Sequence, residues 1–369
     1  MIFSKIFSSK RFLGIDVGTS GIKMVELSGQ GEKKKLENYA EMKAKVGQKN
    51  QFRTFEKNTL LLSSQDIAQV IKTAMKEAGF KTRECIFSIP DFSSFFTTLE
   101  LPPMSREEIP QAVLFEAKQH VPLPLEEVTL DWGMIENKGV GQTKEKLEII
   151  LVAVPNEIVN QYREIARLAN LQPRAMEAEV FSLIRSLIPA EEKDTVAIID
   201  IGAQTTTCSI IDKGTLRLSY SFDFSGSDLT KRVAEELYVD YPTAENLKER
   251  YGLEKIPLSS ADIATISSVK SVKKILTSLV DVVLKETEKV TLHFNQTTGK
   301  NIQKFIIAGG VSLLPGLKKY FENYFKKETE IANPFSEISS PSILEESLKE
   351  MGPRYAVAVG AALRGLEKT

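Results

Sequence analysis

Two strand-turn-strand segments with the same punctuation open the two halves of this chain, and they restrict its fold more than any other feature. Gly14-Ile15-Asp16-Val17-Gly18-Thr19-Ser20 and Ile199-Asp200-Ile201-Gly202-Ala203-Gln204-Thr205 each carry an aspartate, one apolar residue, a glycine and then hydroxyl residues at or just after the bend. Each follows an apolar strand and precedes another, over 22–27 in the first half and 205–211 in the second. Either copy alone reads as a plain hairpin, because Asp-x-Gly is common at turns. Two copies, one at the head of each half, point instead to two domains facing one ligand.

A polyphosphate held between two domains needs backbone N–H donors from both sides. Glycine turns supply them, since a residue without Cβ lets the backbone approach closely. The hydroxyls of Thr19, Ser20, Thr205 and Thr206 add donors. Asp16 and Asp200, facing one cleft, would repel unless a cation stood between them, and magnesium held through water suits two carboxylates and a phosphate chain. Lys23, on the strand leaving the first turn, reads equally as a phosphate contact or as an exposed strand lysine. A third segment, Ile306-Ile307-Ala308-Gly309-Gly310-Val311-Ser312-Leu313-Leu314-Pro315-Gly316, runs from an apolar strand through a double glycine to a helix start. Bare backbone there accepts a flat base or a phosphate; a ligand-free strand-to-helix turn has the same pattern.

The remaining pattern alternates strands and helices, which argues for α/β layers. Apolar residues at helical spacing (Ile67, Val70, Ile71, Ala74, Ala78) precede Gly79 as a cap. Short strands are predicted at 85–89, 95–101, 147–154 and 173–177. Helices are predicted at 106–120, 157–169, 179–187, 226–238, 243–251, 270–297, 315–326 and 353–366. Ser105 and Glu108 form a capping-box signal, and Pro110 should kink or delay the helix that follows. The polar stretch from Pro189 to Asp194 marks a boundary, giving a first domain over 1–190 with a small insert near 85–150, a second over 191–352, and a last helix returning toward the first.

With 369 residues the chain can fill two cores. A formal net charge of -1 provides no basic field for nucleic acid. Cys85 and Cys208, far apart within apparent strands, read as buried free thiols of a reducing compartment rather than as a disulfide. No apolar run is long enough to span a bilayer, and the start lacks a long apolar region and a small-residue cleavage site, so a cytoplasmic location is expected. Ile2, Phe3, Ile6 and Phe7, with Lys5, Lys10 and Arg11, read as a docked or frayed terminus or as a short membrane-surface helix.

These features together resemble the actin, Hsp70 and sugar-kinase ATPase superfamily over nearly the whole chain, with two phosphate hairpins (14–23 and 198–211) and an adenosine turn (307–311). Within it, three stretches resemble the type IV pilus assembly PilM family, relatives of the cell-division FtsA proteins: FLGIDVGTSGIKMVEL near the start, LELPPMSREEIPQAVLFEAKQHVPLPLEEVTLDW over 99–132, and GSDLTKRVAEELYVDYPTAENLKERYG over 226–252. The second is the most specific, since sugar kinases and Hsp70 proteins have no such segment. The resemblance implies an α/β, actin-like two-domain fold with an ATP cleft and a small inserted subdomain.

It implies ATP and Mg2+ as ligands, with Asp16 and Asp200 linked to the metal. Gly18, Thr19, Ser20 and Lys23, with Gly202, Ala203 and Thr205, fall on the phosphate side. Gly226, Glu245, Lys248, Gly309, Gly310 and Val311 fall on the nucleoside side. Glu179 matches the residue that orients an attacking water, with Glu177 a rival. Three positions depart from the family pattern: Ser225 where a glycine is frequent, Val311 where a smaller residue is common, and Pro110 within a helix that is usually unbroken.

The implied role is an adaptor that binds the cytoplasmic tail of the membrane protein PilN, sits against the inner membrane through that partner, and meets the pilus motor ATPases, with weak or no hydrolysis of its own and room for self-association. Phe92, Phe95, Phe96, Leu114 and Phe115 are candidates for the peptide groove, or simply core. An FtsA-like filament and a small-molecule kinase are the alternatives. The kinase would need a catalytic base beside a sugar pocket, and no segment clearly supplies one.

Overall fold

The computed structural model describes residues 10–30, 33–43, 55–56, 59–60, 63–135, 146–254 and 263–367. The reading of residues 2–7 as a terminal or membrane-surface segment lies outside these. β1 (Lys10–Gly18), β2 (Gly21–Gln30) and β3 (Lys33–Lys43) form an antiparallel meander. A short ribbon of β4 (Phe55–Glu56) and β5 (Thr59–Leu60) precedes α1 (Ser64–Ala78). Ser63 caps α1 by accepting from the Asp66 N–H, and Gly79 ends it at φ 71°. Its apolar stripe, Ile67, Ile71, Ala74 and Met75, is buried.

β6 (Glu84–Ile89) then pairs parallel with β1. It belongs to the main sheet, so the inserted part begins beyond it and not near residue 85. The insert comprises β7 (Phe95–Leu101), α2 (Ile109–His120), β8 (Val128–Met134) and β9 (Leu147–Pro155). Its sheet runs in the order β7-β9-β8 and α2 covers one face, burying Ile109, Val113 and Ala117 against Leu99, Leu101 and Leu151. α2 starts three residues later than the spacing suggested, because Pro110 is accepted only in a first turn where its missing N–H has no partner to lose. The Glu108 carboxylate still accepts from the Ser105 N–H at 2.8 Å, half of the expected capping box.

α3 (Asn156–Ala169) and β10 (Gln172–Ala178) return the chain to the main sheet, which is ordered β10-β6-β1-β2-β3. α4 (Glu179–Leu187) leads into the second half. There β11 (Thr195–Ile201), β12 (Thr206–Asp212) and β13 (Thr215–Phe222) repeat the meander. α5 (Gly226–Leu237), α6 (Tyr241–Tyr251) and the long α7 (Ile263–Thr298) follow. β14 (Lys304–Ala308), α8 (Leu317–Phe325), β15 (Glu328–Ile331) and α9 (Glu345–Leu366) complete the half.

The second sheet is ordered β13-β12-β11-β14-β15, the same topology as the first read from its β3 edge. The repeat in sequence is therefore a repeat of architecture, and the molecule has the actin-like two-domain fold. α9 begins well before the predicted residue 353, since Pro353 lies inside the helix and is buried there with Gly352.

α4 and α9 cross between the two sheets. Leu183 of α4 packs on Val196, Ile198 and Ile306 of the second sheet, while Ala358, Val359 and Ala362 of α9 pack on Val25 and Leu27 of the first. The crossing is tight enough that a Cβ at Gly360 would come within 1.9 Å of the Ser182 carbonyl oxygen, and one at Gly14 within 1.9 Å of the Ala358 carbonyl oxygen. Both cysteines are free and buried, as expected, and burial pushes each thiol up to about 12. Among the described residues no helix is long and apolar enough to cross a membrane.

Candidate functional site

The β1–β2 register sets Asp16 opposite Lys23, and the β1–β6 register sets it beside Ser88. Lys23 Nζ lies 3.5 Å from Asp16 Oδ2. Gly18 leaves room for this pair, since a Cβ there would meet Lys23 Nζ at 3.0 Å. Thr19 and Ser20 occupy the two-residue turn, with Ser20 exposed. In the second half Asp200 stands opposite Thr207 of β12 and beside Ala308 of β14. The Gly202 N–H donates to the Thr205 carbonyl at 2.9 Å and closes the second turn. That turn is fastened to the first turn of α5, where the Gly226 N–H donates to the Gly202 carbonyl at 2.9 Å and the Ser227 N–H to the Ala203 carbonyl at 3.2 Å.

Gly309, at φ 81°, brings the third segment into the same corner. A Cβ on it would fall 2.4 Å from the Ile201 oxygen and 2.5 Å from Asp200 Oδ1. Gly310 is exposed, and Val311 turns back onto Gly226, where a Cβ would meet Val311 Cγ2 at 2.7 Å. Ser225 caps α5 by accepting from the Asp228 N–H at 3.3 Å. Lys248, with a side chain 8% exposed, donates to the Gly226 carbonyl, the Thr230 hydroxyl and both Glu245 oxygens. Thr230 also donates to Glu245. Glu245 and Lys248 therefore hold the start of α5, and with it Gly226 and the second turn, in place.

Five carboxyl groups, those of Asp16, Glu41, Asp91, Glu179 and Asp200, and the Lys23 ammonium group act on one another here. Burial raises the Asp16 pKa against the opposing pull of Lys23. Burial first, and the charge of Asp16 second, push Asp200 to about 6. Glu179, at the start of α4, is driven well above the usual carboxylate range by burial, with Asp16, Asp91 and Asp200 adding to the rise. Burial would lower Lys23, but Asp16, Glu41, Asp200 and Glu179 outweigh it and raise its pKa. The interaction between Asp16 and Asp200 joins the two domains electrostatically.

Asp91 was not among the residues singled out from the sequence. It is 3% exposed, burial pushes it to about 7, and its Oδ1 accepts from the Val180 N–H at 3.1 Å. A clue existed in the repeat. Ser88 pairs with Asp16 as Ala308 pairs with Asp200, so Asp91 follows Ser88 as Val311 follows Ala308. Extending the comparison of the halves to their second parallel strands would have marked the position.

The two glutamates at the junction of β10 and α4 separate clearly. Glu177 accepts from the Ser182 hydroxyl and from Arg185 Nη1, each at 2.6 Å, and is thereby committed to an ion pair. Glu179 is the one that feels the cleft aspartates. Of the five groove candidates, Phe92 and Phe96 pack on the first domain's core and Phe95 on the core of the insert. Leu114 and Phe115 project from α2, 51% and 63% exposed. The five thus divide into three half-buried core rings and two surface side chains.

Among the described residues no group of three or more histidine, cysteine or acidic side chains is placed to hold a metal ion directly. Asp16 and Asp200 offer only hard oxygen donors, one from each domain. Such a pair fits a hydrated divalent cation held through water rather than a closed protein cage.

The sequence model of one protein family, described as Type IV pilus assembly protein PilM, matches residues 14–366. The chain is 20% identical to the cell division protein FtsA of Streptococcus pneumoniae over 347 residues, covering 85% of this chain and 73% of that protein. Its structure is similar to that of a PilM-PilN type IV pilus biogenesis complex, with a TM-score of 0.81 and 24% identity over 98% of this chain and 100% of the other. It also resembles MreB5 of Spiroplasma citri bound to AMPPNP, with a TM-score of 0.54 and 13% identity over 96% of each chain.

Proposed function

The chain belongs to the type IV pilus assembly protein PilM family, and from that premise we propose that it is an ATP-binding adaptor of the pilus assembly machinery whose nucleotide biases the closure of its two domains. The observation that carries this reading is the pairing of Asp16 and Asp200, one from each half, at the ends of matching hairpins whose fields reach each other. A nucleotide with its phosphates between the turns would draw N–H donors from Gly18, Thr19 and Ser20 on one side and from Gly202, Ala203 and Thr205 on the other. Lys23 would add a charge-assisted contact. Gly309, Gly310 and Val311 would carry the nucleoside, with Gly226 beneath it and Glu245 and Lys248 holding that floor.

Mg2+, associated through water with Asp16 and Asp200, would neutralise phosphate charge and relieve the repulsion between the two carboxylates. Glu179 would orient a water near the phosphates, and its raised pKa favours slow turnover, because a protonated carboxyl is a poor base. A ligand that touches both domains favours the closed form by its differential contacts. The MreB5 neighbour bound to AMPPNP has the same fold and supports the nucleotide reading.

The partner reading rests on the PilM-PilN complex as a neighbour. A PilN-type cytoplasmic tail would bind at the insert, against α2, where Leu114 and Phe115 are exposed and Phe95 packs on the insert core. Binding there would place the protein on the cytoplasmic side of the inner membrane, beside the motor ATPases.

Calorimetric titration of Mg-ATP into the wild type and Asp16→Ala, with and without a PilN tail peptide, tests both parts. The expected result is ATP binding that Asp16→Ala abolishes and peptide binding that Leu114→Ser with Phe115→Ser abolishes. A wild type that does not bind ATP would refute the nucleotide part even if the peptide binds.

A further inference from the structure

We propose that Asp91 and Tyr162 are positioning residues that hold Glu179 for work on the terminal phosphate. The inference rests on the ATP-binding reading above and assigns roles to two side chains that neither the motif pattern nor the repeat had singled out. Asp91 and the first turn of α4 are joined by two reciprocal hydrogen bonds. The Asp91 backbone N–H donates to Glu179 Oε2 at 3.2 Å, and the Val180 N–H donates to Asp91 Oδ1 at 3.1 Å. Ala178 at the helix N-cap position has no capping side chain, so Asp91 does that work from 88 residues or so away in the chain. Asp91 thus ties both the Glu179 carboxyl and the backbone that carries it, so displacing Asp91 disturbs the two together.

Tyr162 supplies the independent observation. It comes from α3, is fully buried, and meets the Phe87 ring edge-on at a centroid distance of 5.7 Å. Its hydroxyl has no hydrogen-bond partner among the described residues. A buried hydroxyl in that condition is costly and marks a polar task. Burial first, and the charges of Glu179 and Asp16 after it, raise its pKa well above the usual tyrosine value. The hydroxyl is therefore an unspent buried donor within the field of Glu179. Held by Asp91 through Oε2, Glu179 can present its other oxygen to a water in line with the phosphate, which is the geometry that a loose phosphoryl-transfer transition state requires.

The test uses two probes on the full chain, Mg-ATP and Mg-ADP with fluoroaluminate, the second imitating the phosphoryl group in transfer. A residue that positions the water-orienting group should affect only the second. Asp91→Ala and Tyr162→Phe should each weaken fluoroaluminate-complex binding about tenfold while ATP binding stays within about twofold. Asp91→Asn should restore it, because the asparagine oxygen still accepts from the Val180 N–H. Thermal unfolding of each variant identifies any that fails to fold, and Tyr162→Phe, which removes one atom from a packed ring, is the safeguard. Equal binding of the fluoroaluminate complex by wild type and both variants overturns the proposal, as does a wild type that binds ATP but not that complex. Failure of the wild type to bind either probe refutes the ATP reading itself, and this proposal with it.

Discussion

Lys23 Nζ stands 3.5 Å from Asp16 Oδ2 across directly paired residues of the first hairpin, whereas the residue facing Asp200 in the second hairpin is Thr207. Thr207 spends its hydroxyl on Ser221, 2.9 Å away. The two turns are thus alike in backbone and unlike in charge: the first carries its own cation, and the second depends on what enters the cleft.

Replacement of Lys23 by methionine should therefore do two things. Asp16 would lose the neighbour that opposes its burial, so its pKa would rise further. Removing one partner of a largely buried pair should cost about 1–3 kcal/mol at pH 7.5, read from urea unfolding. Lys23 itself has a raised pKa, so its contribution is complete below the unfolded value of 10.5 and fades only as pH climbs through the higher folded value. Mg-ATP affinity should fall in the same variant.

The acidic cluster predicts an unusual pH dependence for the nucleotide-free protein. Asp200 and Asp91 have folded values of about 6 and about 7, above an unfolded 3.8. Between those limits the folded state binds more protons than the unfolded one, so these groups lower stability as pH rises through the window. The facing groups are Asp16, Glu179 and Lys23. Thermal unfolding should show the wild type losing stability between pH 5 and pH 7.5. Asp200→Asn should gain about 1–3 kcal/mol at pH 7.5, flatten that slope and lose Mg-ATP binding. A wild-type stability that rises steadily over this range would contradict the assignment.

Gly309→Ala addresses the corner of the second domain that holds Asp200. The added methyl would meet the Ile201 oxygen and Asp200 Oδ1 inside contact distance, at a φ of 81° that L side chains resist. The expected cost is about 2–3 kcal/mol, with a larger proportional loss of nucleotide affinity, because the strain moves Asp200 itself. Parallel measurement of Tm and ATP binding separates the two effects. Gly310→Ala, where a Cβ meets nothing within 4 Å, is the control and should leave stability nearly unchanged.

The insert is fastened to the second domain as well as the first. Arg217 Nη1 of β13 lies 2.6 Å from Glu148 Oε2 of β9, and nearby Leu216 packs in a cluster with Val180, Phe96 and Ile150. A double-mutant cycle on Arg217→Ala and Glu148→Ala should give a coupling of about 1 kcal/mol. Hydrogen exchange in β7 and β9 should quicken in both single variants. If exchange in the insert is unaffected, the ion pair does not connect it to the nucleotide domains.

Much of this protein was legible in the linear chain. Asp16 and Asp200 were found because a hairpin turn is local: its aspartate, glycine and hydroxyls lie within a few residues, and the same short pattern recurs 184 residues later in a chain whose sheets share one topology. The apolar stripe of α1 and its Gly79 cap were local for the same reason. What lies within one turn of the backbone is set by residue type and spacing.

Only the tertiary structure decided the rest. Asp91 meets Glu179 because parallel pairing of β6 with β1 and β10 brings the ends of distant segments together, and no local spacing encodes that contact. Glu177 and Glu179 look equivalent in sequence, yet the first ends strand β10 and turns onto Arg185 while the second opens α4 and feels the cleft aspartates. Gly14 seemed part of a phosphate motif, but its small size serves the passage of α9 at Ala358. Phe92, Phe95 and Phe96 could not be told from Leu114 and Phe115 by composition, because burial depends on what packs against a side chain. Short-range patterns fix where a chain bends; which groups then share a buried, low-dielectric site follows from packing across the whole fold.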